Sequence, residues 1–340
     1  MDRKYDVITL GEILLRLSTP INGRLAQGDT LMKHLGGAEL NIASEIGQLG
    51  LNTAIISKIP TNLLAAFIKN QLNASRVSEN YLIEDHPDDS RVGIYYYEYG
   101  SYPRKPRVVY DRKHSSINNI EISDVPQTLF YNTRLFHTSG ITLGLGGKAQ
   151  DFAIHCIKEF KKQGTLISFD VNYRANLWTG EEARKCIETI LPYVDIFFCS
   201  EDTARLTFGK TGTINEIQKS FCEEYPISVV ASTERTVITP KKHNFTSIIY
   251  SAKNDTYYRE NPYNNIDVVD RIGSGDAYVS GALYGYLKHG DCQKALEYGN
   301  AMAAIKHSVI GDMVFTDLEE IDSIIKQHKN TSGYQSEMNR

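Results

Sequence analysis

Between Asp267 and Asp276 the chain carries Asp270, Gly273, Ser274 and Gly275, and an apolar helical pattern begins where this stretch ends. Gly273 and Gly275 bracket Ser274, so three small residues in succession expose backbone N–H groups at a helix start. Together with the helix dipole they form an anion site suited to a phosphoryl group in transfer. Asp276 lies in the first turn of that helix, where a carboxylate can take the proton from an attacking hydroxyl. A Gly-rich turn followed by Asp is common on its own, so its surroundings must decide. The chain has no G-x-x-x-x-G-K-[ST] loop and no G-x-G-x-x-G after its first strand, which removes the P-loop and dinucleotide readings.

The elements that must position these groups follow from hydrophobic periodicity. Strands are expected at 7–10, 13–17, 53–57, 135–138, 166–170, 195–199 and 228–231. Helices are expected at 37–49 (stopped by Gly50), 63–72, 148–163, 181–191, 201–208, 213–225, 276–288, 292–308 and 318–328. A hairpin joins 237–239 to 246–250. Strands alternating with helices predict a parallel sheet covered on both faces. Residues 91–113 break the rhythm: Val92, Ile94, Tyr95, Tyr96, Tyr97 and Tyr99, then Val108, Val109 and Tyr110, form two β-prone runs. Such a hairpin cannot fold alone and must pack on the core, on residues 12–35 or on a second subunit. In an open parallel sheet ligands sit beyond the carboxyl ends of the strands. That rule selects Glu12, Ser139, Gly140, Asp170, Asn172, Arg174, Ser200, Glu201 and the loop before Asp276.

The net charge is −4, which argues against nucleic acid or an anionic membrane as partner. Five scattered cysteines with no C-x-x-C spacing argue against a disulfide framework or a zinc site and fit a reducing cytoplasm. No stretch approaches the length of a transmembrane helix. The expectation is a cytoplasmic chain of one domain over 1–328, with a β lid from about 12–35 and 91–114 and a flexible tail at 329–340.

Gly36, Gly37, Ala38, Glu39, Leu40, Asn41, Ile42 and Ala43, with Leu49 and Gly50, precede the 270–276 loop by about 230 residues. This pair resembles the two signatures of the ribokinase/PfkB carbohydrate kinase family, over residues 5–328. Within the family the chain is similar to 2-keto-3-deoxygluconate kinases, through Thr9–Ser18, Gly93–Tyr95, Val109–Ser116, Ser139–Thr142, Phe169–Arg174 and Lys306–Asp312. The resemblance implies a ribokinase-like, doubly wound sheet with an inserted lid. It also implies transfer of the ATP γ-phosphate to a terminal hydroxyl of a sugar acid, with Mg²⁺ and often a monovalent cation such as K⁺. Arg112 and Arg174 would hold the substrate carboxylate, because a planar guanidinium can do so bidentately. Gly37, Asn41, Tyr95, Tyr110 and Asp312 would complete the sugar site. Thr233 and Arg235 would lie near the ATP phosphates and Asn300 near adenine. Where the family usually has Asn-x-x-Glu, the chain reads Ser200, Glu201, Asp202, Thr203, leaving Glu201 and Asp202 as the acids there; no metal ligand is assigned. The lid is expected to cover the sugar site and mediate a homodimer or larger homo-oligomer. The alternatives are a kinase of another sugar, such as fructose, and a non-catalytic sugar-binding protein of the same fold.

Overall fold

The computed structural model describes residues 3–86 and 90–330. In chain order its elements are β1 (Tyr5–Leu10), β2 (Leu14–Ser18), β3 (Met32–Gly36), α1 (Ala38–Gln48), β4 (Thr53–Ile59), α2 (Leu63–Ala74), β5 (Val77–Ser78), β6 (Leu82–Glu84), β7 (Gly93–Glu98) and β8 (Arg107–Asp111). Then come β9 (Thr133–Ser139), α3 (Gly140–Gly144), α4 (Gly147–Lys162), β10 (Leu166–Asp170), α5 (Gly180–Glu188), β11 (Ile196–Phe198), α6 (Glu201–Phe208) and α7 (Ile214–Glu224). The chain closes with β12 (Val229–Thr239), β13 (Lys242–Ser251), β14 (Thr256–Arg259), β15 (Tyr263–Asp267), α8 (Ser274–His289), α9 (Cys292–His307) and α10 (Leu318–Lys329).

The large sheet runs β14-β13-β12-β11-β10-β9-β1-β4-β5, and its inner pairs are parallel. Its inner strands are apolar on both sides, as burial between two helical layers requires. Ile8, Phe136, Ile167, Phe169 and Phe197 pack against Phe152, Phe160, Ile187 and Phe221 of α4, α5 and α7. Val7, Leu135, Ile196, Phe198 and Val229 point the other way, against Ile42 and Ile46 of α1 and Val279, Leu283 and Leu296 of α8 and α9. Consecutive residues of one strand therefore feed two cores, and a one-residue slip in register would exchange them.

Register also builds the active edge. Asp170 sits opposite Ser139 on one side and Phe198 on the other, and Phe198 is opposite Ala231. The carboxyl ends of β1, β9, β10, β11 and the buried part of β12 thus finish along one line. A separate four-stranded sheet, β3-β2-β7-β8, stands over that line. It combines the segment after β1 with the Tyr-rich hairpin, through a parallel β2/β7 pair and antiparallel β2/β3 and β7/β8 pairs.

Several local expectations need correction. Segments 228–231 and 237–239 are one continuous strand, β12, because the polar residues between them stay paired to β13 while leaving the core. The helix expected at 181–191 ends at Glu188, and a 3₁₀ turn, Leu191–Tyr193, follows with Pro192 in its first positions. β14 and β15 carry mostly polar residues and gave no hydrophobic signal. Lys329 is the last residue of α10 and pairs with Glu297 at 2.6 Å, so it is no part of a tail; positions 331–340 lie outside the described residues.

Candidate active site

A cleft of about 470 Å³ opens where the lid faces the active edge. Its lid wall carries Tyr95, Val108, Tyr110 and Arg112, and its floor carries Gly37, Asn41, Asp170, Arg174 and the 271–276 loop. A second hollow of about 220 Å³ adjoins it, shares Asp170, Asn172, Arg174, Thr233 and Gly275, and adds Ser200 and Thr203.

The floor is built from two glycine-dependent helix starts. Gly273, at φ +82°, precedes α8, and a Cβ there would lie 1.8 Å from the Asp312 carbonyl oxygen. Only glycine tolerates both the dihedral and the contact. No side chain caps α8, so its first-turn amides face the cleft, and the helix dipole favours an anion there. One detail departs from expectation: the Ser274 N–H leans back on the Arg271 carbonyl at 3.3 Å, so the donors at the helix end are those of Gly275 and Asp276. Gly37, at φ +125°, plays the same part before α1, where a Cβ would meet the Glu12 carbonyl at 2.2 Å.

These two starts bring Asn41 and Asp276 together. Asn41 Nδ2 donates to Asp276 Oδ2 at 2.7 Å, while the buried Asn41 Oδ1 has no partner among the described residues and remains open to a hydroxyl donor. Burial raises the Asp276 pKa to about 6, against the pull of Asn41 and of the Arg174 charge. Across the cleft Asp170 is raised to about 7, mainly by burial and then by the charge of Asp276. Its Oδ1 accepts the Asn172 N–H at 3.1 Å, and Asn172 holds a positive φ of 35°. Such backbone conformations cost energy and gather at functional sites.

Three guanidinium groups line the cleft without an acidic partner among the described residues: Arg174, Arg235 and Arg271. Arg174 donates only to the Tyr173 carbonyl, at 3.1 Å. The pKa of Arg235 is lowered by burial and then by the nearby charge of Arg271. Cations left together unpaired are the complement of an anionic ligand.

Not every expected residue is free for a ligand. Arg112 reaches the cleft, and its Nη2 is paired to buried Glu12, which also accepts from Ser115 Oγ; its buried Nε has no partner among the described residues. Arg174, in contrast, has no acidic partner among the described residues. Tyr95 and Asp312 line the cleft with their polar ends turned to each other, and Asp312 also receives Arg16 Nη1 at 2.7 Å. Tyr110 is 41% exposed and lies beside Tyr95 with the rings tilted by 38°, centroids 5.9 Å apart. Thr233 lines both hollows. Asn300 is fully buried behind the sheet, held by Ser247 Oγ at 2.8 Å and Glu260 Oε1 at 2.7 Å. Glu201 turns outward to Arg205 at 2.5 Å and does not reach the cleft. Ser200 and Thr203, 2.8 Å apart between hydroxyl oxygens, face the hollow in its stead.

The shape and chemistry of this edge match known proteins. The profile of the pfkB family carbohydrate kinases matches residues 4–317. The chain belongs to the pfkB family of carbohydrate kinases. It is thus an ATP-dependent sugar kinase, and its large sheet with helices on both faces is the ribokinase-like fold. A 2-dehydro-3-deoxygalactonokinase of Haloferax volcanii is 29% identical over 94% of this chain and 96% of its own length. An ATP-dependent 6-phosphofructokinase of Thermoanaerobacterium thermosaccharolyticum is 30% identical, over 95% and 94%. The solved 2-dehydro-3-deoxygluconokinase of Thermotoga maritima superimposes with a TM-score of 0.90 at 31% identity, covering 96% of this chain and all of that one (100%).

Two groups in this pfkB kinase escaped sequence reasoning. Glu39 is buried and accepts from Ser139 N and Oγ (3.1 and 2.7 Å) and Thr142 Oγ1 (2.7 Å), bracing α1 against the end of β9. Arg16 is wholly buried beneath the loop, between Asp270 (2.5 Å) and Asp312, with its guanidinium 4.5 Å from the Tyr97 ring centre. A lone arginine inside an apolar strand run was the signal available for it.

Proposed function

We propose that this kinase phosphorylates the terminal hydroxyl of an acidic sugar, with 2-keto-3-deoxygluconate as the leading substrate. The observation that carries the reading is the unpaired Arg174 beside the Asn41–Asp276 pair: a cation left open on the cleft, next to a carboxylate poised to take a proton. Asp276 accepts the hydroxyl proton. The freed oxygen forms a bond to the γ-phosphorus as the bond from that phosphorus to the β–γ bridging oxygen breaks, and ADP leaves. The Gly275 and Asp276 amides stabilise charge on the transferring group. Arg235, Arg271 and Thr233 face the ATP phosphates.

Mg²⁺ suits the oxygen donors at hand. Asp170 spends one oxygen on Asn172, and Ser200 and Thr203 stand nearby; Mg²⁺ takes few protein ligands because phosphates and water supply the rest. When bound it would neutralise phosphate charge. The exposed lid strand β8, with Val109 at 54%, also supports the reading that a second copy covers the lid; sedimentation showing a monomer at all concentrations would overturn that part.

The test is coupled ADP release with 2-keto-3-deoxygluconate, 2-keto-3-deoxygalactonate, gluconate, fructose, fructose 6-phosphate and ribose. Preference for keto-deoxy acids supports the reading. A second reading, a kinase of neutral sugars, draws on the neutralisation of Arg112 by Glu12, and activity confined to fructose or ribose would establish it.

A further inference from the structure

Lys306 is the one lysine of α9 whose side chain is fully buried among the described residues. Its ammonium donates to the main-chain carbonyls of Asp270, at 3.1 Å, and Val309, at 3.2 Å. It forms no ion pair within 4 Å among the described residues, although Asp270, Asp312, Glu45 and Arg16 all act on it electrostatically. The two carbonyls belong to the two loops that meet behind the phosphoryl site. On one loop the Val269 and Asp270 amides bond to the His307 carbonyl, at 2.8 and 3.2 Å, and Asp270 Oδ1 accepts the Ile272 N–H at 3.0 Å, just ahead of Gly273. On the other, the Gly311 amide bonds to Asp270 Oδ2 at 3.2 Å, and the Asp312 carbonyl is the group against which Gly273 is packed.

Converging main-chain carbonyls next to a carboxylate are how proteins hold a bare monovalent cation. Here the carbonyls behind the anion site already face a positive charge that is covalently part of the chain. A buried ammonium would be expelled or neutralised without such acceptors, so its placement has a structural cost that function can explain. A potassium ion at these oxygens would stand against Lys306 and Arg16 together, and the residues present do not fit one.

We propose that the Lys306 ammonium is a resident cation that ties the 270–273 loop to the 309–312 loop and holds the α8 amides in position, so that turnover needs no potassium. Lys306 is a positioning residue: it acts through the loop and touches no substrate. The inference rests on the kinase activity but not on which sugar is used.

The full chain is assayed for ADP release in tetramethylammonium buffer freed of alkali ions, then with potassium added. Thermal unfolding is followed in the same buffers without nucleotide. The expected wild-type result is a rate within about twofold in both buffers, a difference within ordinary ionic-strength effects on charged ligands, and an unchanged melting midpoint. Lys306→Met is expected to raise KM for ATP and lower kcat, and added potassium is expected to recover part of the loss. If Lys306→Met does not fold, Lys306→Gln, which keeps one donor, is used for the same rescue. Strong potassium activation of the wild type, or a potassium-dependent melting midpoint, overturns the proposal. So does a folded Lys306→Met with wild-type turnover in alkali-free buffer. A wild type inactive on every sugar would be a failure of the substrate reading, and the melting measurement still decides the cation question.

Discussion

Arginines on two sides of the cleft floor are treated in opposite ways. Arg16 and Arg112 are buried and each is matched to carboxylates: Arg16 to Asp270 and Asp312, Arg112 to Glu12. Arg174, Arg235 and Arg271 line the cleft and have no acidic partner among the described residues. The side chain is the same; the difference lies in whether the fold supplies the counter-charge. Where it does, the ion pairs brace the loops around the site, and removing one partner strands a buried charge. Where it does not, the open positive charge is the complement of an anionic ligand. Asp276 shares the floor with the second group, held by Asn41 rather than paired to an arginine, and burial raises its pKa to about 6.

The sharpest break comes at Asp276. Asp276→Asn is expected to lower kcat by about 10²–10⁴, the range for loss of a positioned base, while ATP still binds by calorimetry; near-normal turnover would refute the assignment. Arg16→Ala should next cost about 3–5 kcal/mol of stability in chemical denaturation, the range for breaking a buried ion pair. A loss like that of an exposed arginine would show that the paired arginines are not structural. Arg174→Ala is expected to leave stability nearly unchanged and to reduce kcat/KM for a sugar acid about 10–100-fold, the loss of one charged hydrogen-bonding clamp. An equal loss on a neutral sugar would remove the carboxylate argument.

Two smaller effects follow from titration. The base must be ionised, and burial holds the Asp276 pKa at about 6, so kcat should fall as pH drops through about 6. Asp170 has a folded pKa raised to about 7. The sign of such a shift is that its favourable contribution is full at acid pH and is lost as pH rises through about 7. Asp170→Asn should therefore raise the melting midpoint above pH 7 relative to wild type, with the difference shrinking in acid; no gain at alkaline pH would show that Asp170 is not under strain.

Much of this could be read along the chain. The inner strands announce themselves because burial on both faces demands unbroken apolar runs, as at 166–170, where the expected and observed strand coincide. Helix α6 coincides with the expected 201–208, and the structure shows Ser200 capping its start and Gly209, in the left-handed conformation, ending it. Gly37, Asn41, Gly273 and Asp276 were legible as well, because a close backbone approach and a helix-end anion site leave few residue types to choose from. What the sequence left unread shares one cause. Arg112, Tyr95, Asp312 and Glu201 have the right chemistry for a ligand, and the fold also gives their polar ends partners within the chain: Glu12 across 100 residues, Arg16 across 296, Arg205 one helical turn away.

The sequence by itself determined the fold class and the strand-end edge that carries Asn41, Asp170 and Asp276, since periodicity, strand-end position and glycine-specific geometry are local properties of the chain. Only the tertiary structure decided which charges remain free. Charge pairing depends on which side chains meet across the sheet and lid, and no local pattern records that Arg16 and Lys306 are enclosed beside Asp270 while Arg174 is left open to the cleft.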